Sequence, residues 1–256
     1  MPSYTSTKLD LFFRSLMDFD GFAGIDDSLN GIQVDNDGGE ISKIAFAVDS
    51  NMETFERAVA AGAGMLFVHH GLFWGKELAL TGTHRKRIKS LLDNNICLYA
   101  VHLPLDQAPK FGNNAVLAEK LGLENIEPFG LQHGKKVGYK GTFPQPLTTD
   151  QAVQKIAFAN RPPVGVYPFG KKENKSCAIV SGGAAKNAFE AIDEGIDLYV
   201  TGEMSHNIYH NCLEGKLNLI AGGHHSTETW GVNAIMAHCA NELNIDTIFL
   251  DVPTGL

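Results

Sequence analysis

Five of the ten histidines fall in three short stretches that close apolar runs: LFVHHGLFW (66–74), VHLPLD (101–106) and GGHHSTE (222–228). These stretches contribute His69 and His70, then His102 with Asp106, then His224 and His225 with Glu228. Imidazole together with carboxylate suits zinc, manganese, iron or nickel, and the lack of a nearby thiolate argues against a structural zinc knot. Neighbouring side chains on a strand point to opposite faces, so adjacent histidines serve a single ion poorly. They serve two ions about 3.5–4 Å apart well, and a carboxylate can bridge such a pair. Glu228 stands four residues after His224. If Ser226 or Thr227 caps a helix over TETWGVNAIMAHCANEL, Glu228 lies in its first turn, where the helix dipole favours a carboxylate. It could then share an ion with His224 or bridge two. The competing reading of all three stretches is a set of hydrogen-bonded histidines in a polar cleft.

Several other residues could join this chemistry. Glu203, in VTGE, is a candidate proton carrier or partner of a ligand, with a solvated loop residue as the alternative. Phe73 and Trp74 would wall a cleft or stack a base, or simply pack in the core. The loop SGGAAKN (181–187) leads from a strand to a helix and could hold a phosphate on its N–H groups. It lacks the full glycine-rich or P-loop pattern and also reads as a tight turn. Asp49 and Asp251 end further strands, where a cleft role and a helix-capping role look alike. The basic run His84 to Lys89 reads as a solvated helix face.

The elements that must position these residues follow a pattern that occurs twice. KIAFAVDS, NMETFERAVAAGA, GMLFVHHG, HRKRIKSLLDNNI and CLYAVHLPLD read as strand, helix, strand, helix, strand. KSCAIVSGG, AAKNAFEAIDEGI, DLYVTGEM, SHNIYHNCLEGKL and NLIAGGHHSTE repeat the order. Helices of this length between strands imply parallel βαβ units, and the continuous apolar strands suit sheets covered on both faces. The fold class is therefore α/β, with two similar α/β lobes related by internal duplication. The expected division is a first lobe over 1–126, a small central α/β insertion over 127–172 and a second lobe over 173–256. The insertion carries six of the ten prolines and one helical pattern, TTDQAVQKIAFAN. An amphipathic helix, TKLDLFFRSLMDF, precedes the first lobe. In open α/β sheets ligands bind beyond the carboxyl ends of the strands, and all three histidine stretches fall at such ends.

Composition narrows the function classes. The chain has 256 residues, 44% hydrophobic and 20% charged, an ordinary globular balance. No apolar run approaches the roughly 20 residues of a membrane span. The N-terminal stretch lacks a signal-peptide pattern, so a cytoplasmic protein is expected. The net charge of −8 counts against wrapping nucleic acid with a basic surface. Cys97, Cys177, Cys212 and Cys239 form no CxxC pair and read as reduced, mostly buried thiols.

NGIQV, VHHGLFW, HLPLD, GNNAVLA, TGE, GGHHSTE and FLDVP, in this order from about residue 8 to the C-terminus, resemble the Nif-three-like family. Its members are commonly labelled GTP cyclohydrolase type 2 homologues or dinuclear metal centre proteins. The resemblance implies two similar α/β lobes, a metal site in the cleft between them, and a toroidal homohexamer built as a trimer of dimers. It implies two divalent ions per chain: zinc, iron or manganese. His69 and His70 resemble ligands to separate ions, Asp106 a ligand to one, His224 a ligand to the other and Glu228 the bridge. His225 becomes a neighbour of the ligands, and His102 a neighbour that could move a proton, as could Glu203. The activity implied is metal-dependent hydrolysis of a nucleotide or related heterocycle, a small-molecule substrate. A non-catalytic carrier or sensor of a metal or metal cofactor is the alternative, and a ring-shaped scaffold at DNA a third that the charge disfavours.

Overall fold

The computed structural model describes residues 2–156 and 161–256. The chain divides into two compact units, Met1–Ala108 with Val232–Val252, and Pro109–Gly231 with Pro253–Leu256.

The first unit is built on a five-stranded sheet. Its strands are β1 (Gly31–Val34), β2 (Lys43–Asp49), β3 (Met65–His70), β4 (Cys97–Ala100) and β11 (Asp246–Phe249), in the spatial order β1-β4-β3-β2-β11. β1 is antiparallel to β4, and the other pairings are parallel. The helices are α1 (Ser6–Leu16), α2 (Phe19–Phe22), α3 (Met52–Ala60), α4 (Gly82–Asp93) and α5 (Leu103–Gln107). α3 starts where the Asn51 side chain accepts the Thr54 N–H at 3.0 Å, a cap that satisfies one otherwise orphaned donor. The strands are apolar on both faces because helices cover both. Ala45, Ala47, Leu66, Val68 and Leu98 pack with Phe55 and Ala58 of α3 and Leu91 of α4. The alternate residues Phe67 and Tyr99 pack against Phe13 of α1, ring centroids 5.0 and 4.8 Å away.

The second unit carries a six-stranded sheet in the order β5-β6-β8-β9-β10-β7. Its strands are β5 (Glu124–Gln132), β6 (Lys135–Leu147), β7 (Gly165–Tyr167), β8 (Asn174–Val180), β9 (Leu198–Thr201) and β10 (Asn218–Ala221). β8, β9 and β10 are parallel, while β6 and β7 run antiparallel to β8 and β10. The helices are α6 (Asn113–Leu121), α7 (Thr149–Ile156), α8 (Ala188–Asp193) and α9 (Tyr209–Glu214). The core of this unit joins Leu117 and Leu121 of α6, Ile156 of α7, and Ile179, Val200 and Ile220 of the strands. Helix α10 (His224–Leu243) begins in the second unit and ends in the first. The stretch 127–172 supplies strands to the second sheet. Of the helix expected there, residues 157–160 lie outside the described residues.

Two boundaries differ from the sequence reading, and both bear on chemistry. The strand expected through VHLPLD stops at Ala100, and His102 precedes α5, with Pro104 in its first turn. A proline there has its φ already set for a helix and lacks the N–H that a strand would need. The strand expected through GGHHSTE stops at Ala221. Gly223 takes φ +96°, a left-handed turn open to glycine, and α10 starts at His224 rather than after Ser226 or Thr227.

Candidate metal centre

His69 and His70 end β3, and each leans toward a different neighbouring strand. His69 is fully buried and its Nδ1 lies 2.8 Å from the carbonyl oxygen of Val101, just past the end of β4. His70 Nδ1 lies 2.8 Å from Oδ1 of Asp49, the last residue of β2. The side chains leave opposite faces of the strand, yet their ring centroids are 4.7 Å apart, because the sheet ends there. His102 joins them from the turn before α5, 5.1 Å from His69 and 5.7 Å from His70 between centroids. One ligand nitrogen from each of these three rings falls within 4.8 Å of the others. Asp106, buried on α5, brings Oδ1 to 3.6 Å from His69 Nε2.

His102 is held by a network that the sequence reading did not single out. Its Nδ1 lies 2.9 Å from Asp26 Oδ1, and the other Asp26 oxygen accepts the Leu103 N–H at 3.0 Å. Burial pushes the Asp26 carboxyl up, but hydrogen bonds from and the charge of His102, with Asn30 and the Ser28 N–H, outweigh it and hold the group at about 2. Asn30 Oδ1 accepts the His102 N–H at 2.7 Å, and Gln33 Oε1 accepts the Leu72 N–H at 2.6 Å. The NGIQ stretch at β1 thus ties down the backbone at both histidine turns. Trp74 lies beside the cluster, its ring 4.9 Å from that of His102 and 5.9 Å from that of His70. Phe73 packs against the first unit's core and edge-on to His84 at 5.3 Å.

In the second unit the first turn of α10 provides another donor pair. His224 Nε2 is 3.2 Å from Glu228 Oε1, one helical turn away. His224 Nδ1 is 2.5 Å from Glu203 Oε1, which follows the end of β9. Burial lowers the His224 pKa, but Glu228 and Glu203 more than reverse this and raise it to about 9. The loop 181–187 serves this pair. Gly182 has φ +65°, and a Cβ there would lie 2.2 Å from Glu228 Oε1 and 3.1 Å from His224 Nε2. Only glycine leaves this space. Its N–H donates to Thr227 Oγ1 at 3.0 Å, and Asn114 Oδ1 accepts the Ser181 N–H at 2.7 Å. Asn113 Oδ1 accepts the Gly231 N–H at 2.7 Å, so the two asparagines of GNNAVLA fix the loop and the helix. His225 is buried one position along, its N–H donating to Leu256 O at 3.2 Å.

His69, His70, His102 and His224 therefore share one arrangement. In each, Nδ1 is engaged by an oxygen, which leaves Nε2 to bind an ion or to carry a proton. Buried Asp106 and Glu228 add hard oxygen donors. This donor set fits a divalent metal with borderline or hard character. The thiols lie outside it. All four cysteines are free and buried, and burial pushes Cys97 and Cys239 up to about 12 and Cys212 to about 11.

A mixed α/β fold with two sheets, whose strand ends gather imidazoles and carboxylates, defines a protein equipped with groups that could hold a metal ion. The chain belongs to the Duf34/NIF3 (NGG1p interacting factor 3) family, whose model matches residues 5–255. A "GTP cyclohydrolase 1 type 2 homolog" of Treponema pallidum (strain Nichols) is 40% identical, covering 98% of this chain and 100% of that protein. A protein of the same name from Pyrococcus abyssi (strain GE5 / Orsay) is 43% identical, covering 90% of this chain and 92% of that protein. Among solved structures, TTHA1606 from Thermus thermophilus matches with a TM-score of 0.88 at 35% identity, covering 99% of this chain and 100% of that one. Among the described residues no helix is long and apolar enough to cross a membrane.

Proposed function

We propose that the chain is a dinuclear metal-binding protein that hydrolyses a nucleotide or related heterocycle. In this reading the lobes expected over 1–126 and 173–256 are duplicates, and donors from both would hold a pair of divalent ions in the inter-lobe cleft that the resemblance implies. His69, His70 and Asp106 of one lobe and His224 and Glu228 of the other would hold these ions. The observation that carries it is the cluster at the end of β3, where three imidazoles converge with Nδ1 already held by an oxygen. The name shared by the relatives supports the reaction class, as a name given to those proteins.

Divalent ions in such a site supply Lewis acidity, which activates water and polarises the bond to be cleaved. The chain's own groups would do the rest. His102, oriented by Asp26, and Glu203, paired with His224, are the candidate proton carriers. Trp74, against His102, would exclude water from one side of a planar substrate. The same reading includes the hexamer implied by the resemblance and a cytoplasmic location, and light scattering checks the former.

The test is elemental analysis of protein purified without added metal or chelator, with Glu228→Ala alongside, followed by assay on a panel of nucleoside triphosphates. Two ions per chain, lost in the variant together with turnover, are expected. A chain that takes up neither zinc, manganese nor iron would end this reading. The side chains of His70 and His102 are 19% and 22% exposed, which favours a second reading, a reversible metal carrier. Ready exchange with a chelator and no turnover on any nucleotide would select it.

A further inference from the structure

The second unit holds a cavity of about 830 Å³ beside Glu203. That volume lies within the roughly 300–1,000 Å³ typical of small-molecule sites. Its walls include Lys186, His133, Phe189 and Gly183. Phe189 is 41% exposed, a large ring left uncovered in a recess of mixed polar and apolar lining that also holds Leu131. The two carboxylates of the wall are engaged elsewhere. Glu190 accepts the Leu131 N–H at 2.9 Å and lies 3.8 Å from Lys136, while Glu203 holds His224. Lys186 and His133 have no ion pair among the described residues. The uncommitted charge of the recess is thus positive, although the whole chain carries −8.

Gly183 is the threshold between this cavity and the donor pair. A Cβ there would sit 3.5 Å from His224 Cε1 and 3.9 Å from Glu203 Oε1. Glu203, which holds His224, itself lines the cavity, so a molecule there would lie beside the carboxylate that orients this imidazole.

We propose that this cavity binds a phosphorylated planar heterocycle of nucleotide size, its ring on Phe189 and its phosphates on Lys186 and His133. Aromatic faces accept any base by stacking, and ammonium and imidazole groups recognise phosphate as point donors. The proposal rests on the hydrolase reading for what happens to the ligand, but not for its binding. It deepens that reading by naming which side chains select the substrate.

The experiment titrates GTP, guanosine and inorganic tripolyphosphate into the full chain by calorimetry, as purified and again after chelator treatment and dialysis. Chelation removes phosphate binding through a metal. Lys186→Glu should weaken GTP and tripolyphosphate by about tenfold or more and leave guanosine nearly unchanged. Phe189→Ala should weaken GTP and guanosine and spare tripolyphosphate. GTP binding that vanishes with the metal, or an affinity that Lys186→Glu leaves within about twofold, would overturn the proposal. Equal losses for all three probes in Lys186→Glu would overturn the phosphate assignment too. Metal content, measured on the same samples, reports the hydrolase reading separately: chelator-resistant GTP binding by a chain that takes up no metal sinks that reading and keeps this one.

Discussion

A histidine becomes a dependable ligand only when something settles which nitrogen faces the ion. Here a carbonyl does this for His69, and carboxylates do it for His70 and His224. A carboxylate partner also makes the imidazole a stronger donor, so removing the charge costs metal affinity without removing a ligand. Asp49→Asn, which removes the charge beside His70, should weaken metal binding by about 10–100-fold with the fold intact, measured by competitive metal titration. Unchanged affinity would take His70 out of the site. His224 predicts a pH dependence. Its folded value of about 9 lies above the ordinary 6.5. In metal-free protein the stabilisation from its protonated form is complete below about pH 6.5 and is lost as pH rises through about 9. Thermal melts should show wild type losing its advantage over His224→Gln across that window. A metal ion must displace the same proton, so apparent metal affinity should rise over the same range.

The elements explain why these side chains meet. From α5 Asp106 reaches His69, and on α10 a histidine is followed four residues later by a carboxylate, one turn on, which places His224 with Glu228 on one helix face. Glycine makes the second pairing possible. Gly182→Ala should lower stability by about 1–3 kcal/mol and reduce bound metal, because its φ of +65° and the Glu228 carboxylate 2.2 Å away both oppose a Cβ. Gly183→Ala, with its nearest contact at 3.5 Å, should fold normally. Denaturant midpoints compare the two, and equal midpoints would mean that Gly182 is not under this constraint. The main strands were readable in advance because they are continuous apolar runs bounded by turns. The starts of α5 and α10 were not. VHLPLD is apolar enough to pass for strand, and Ser226 and Thr227 resemble caps although Gly223 makes the turn. Asp26 was silent for another reason: its partner His102 is 76 residues away, and no local pattern records that contact.

At the scale of the molecule, a ligand that binds only the folded chain raises its stability by mass action. At free metal about 100 times the dissociation constant this adds about 2.7 kcal/mol, or about 5–10 °C in Tm for a chain of this size. Chelation should lower Tm by that amount, and His69→Ala should abolish the difference. A Tm indifferent to chelator in wild type would mean that the histidine cluster is structural. The histidine and carboxylate donors could be nominated from the sequence because they cluster at strand ends. The cavity at Phe189 could not, since its walls come from a hairpin, a loop and a helix whose proximity depends on the sheet order.

The placement of sulfur has one more consequence. With Cys97, Cys177, Cys212 and Cys239 all buried and held as thiols, the native chain offers peroxide no reactive thiolate. Oxidative injury to an iron-loaded protein would then begin at the rings around the ion, and peptide mapping would find the added oxygen on His70 and His102 while the cysteines remained alkylatable after unfolding.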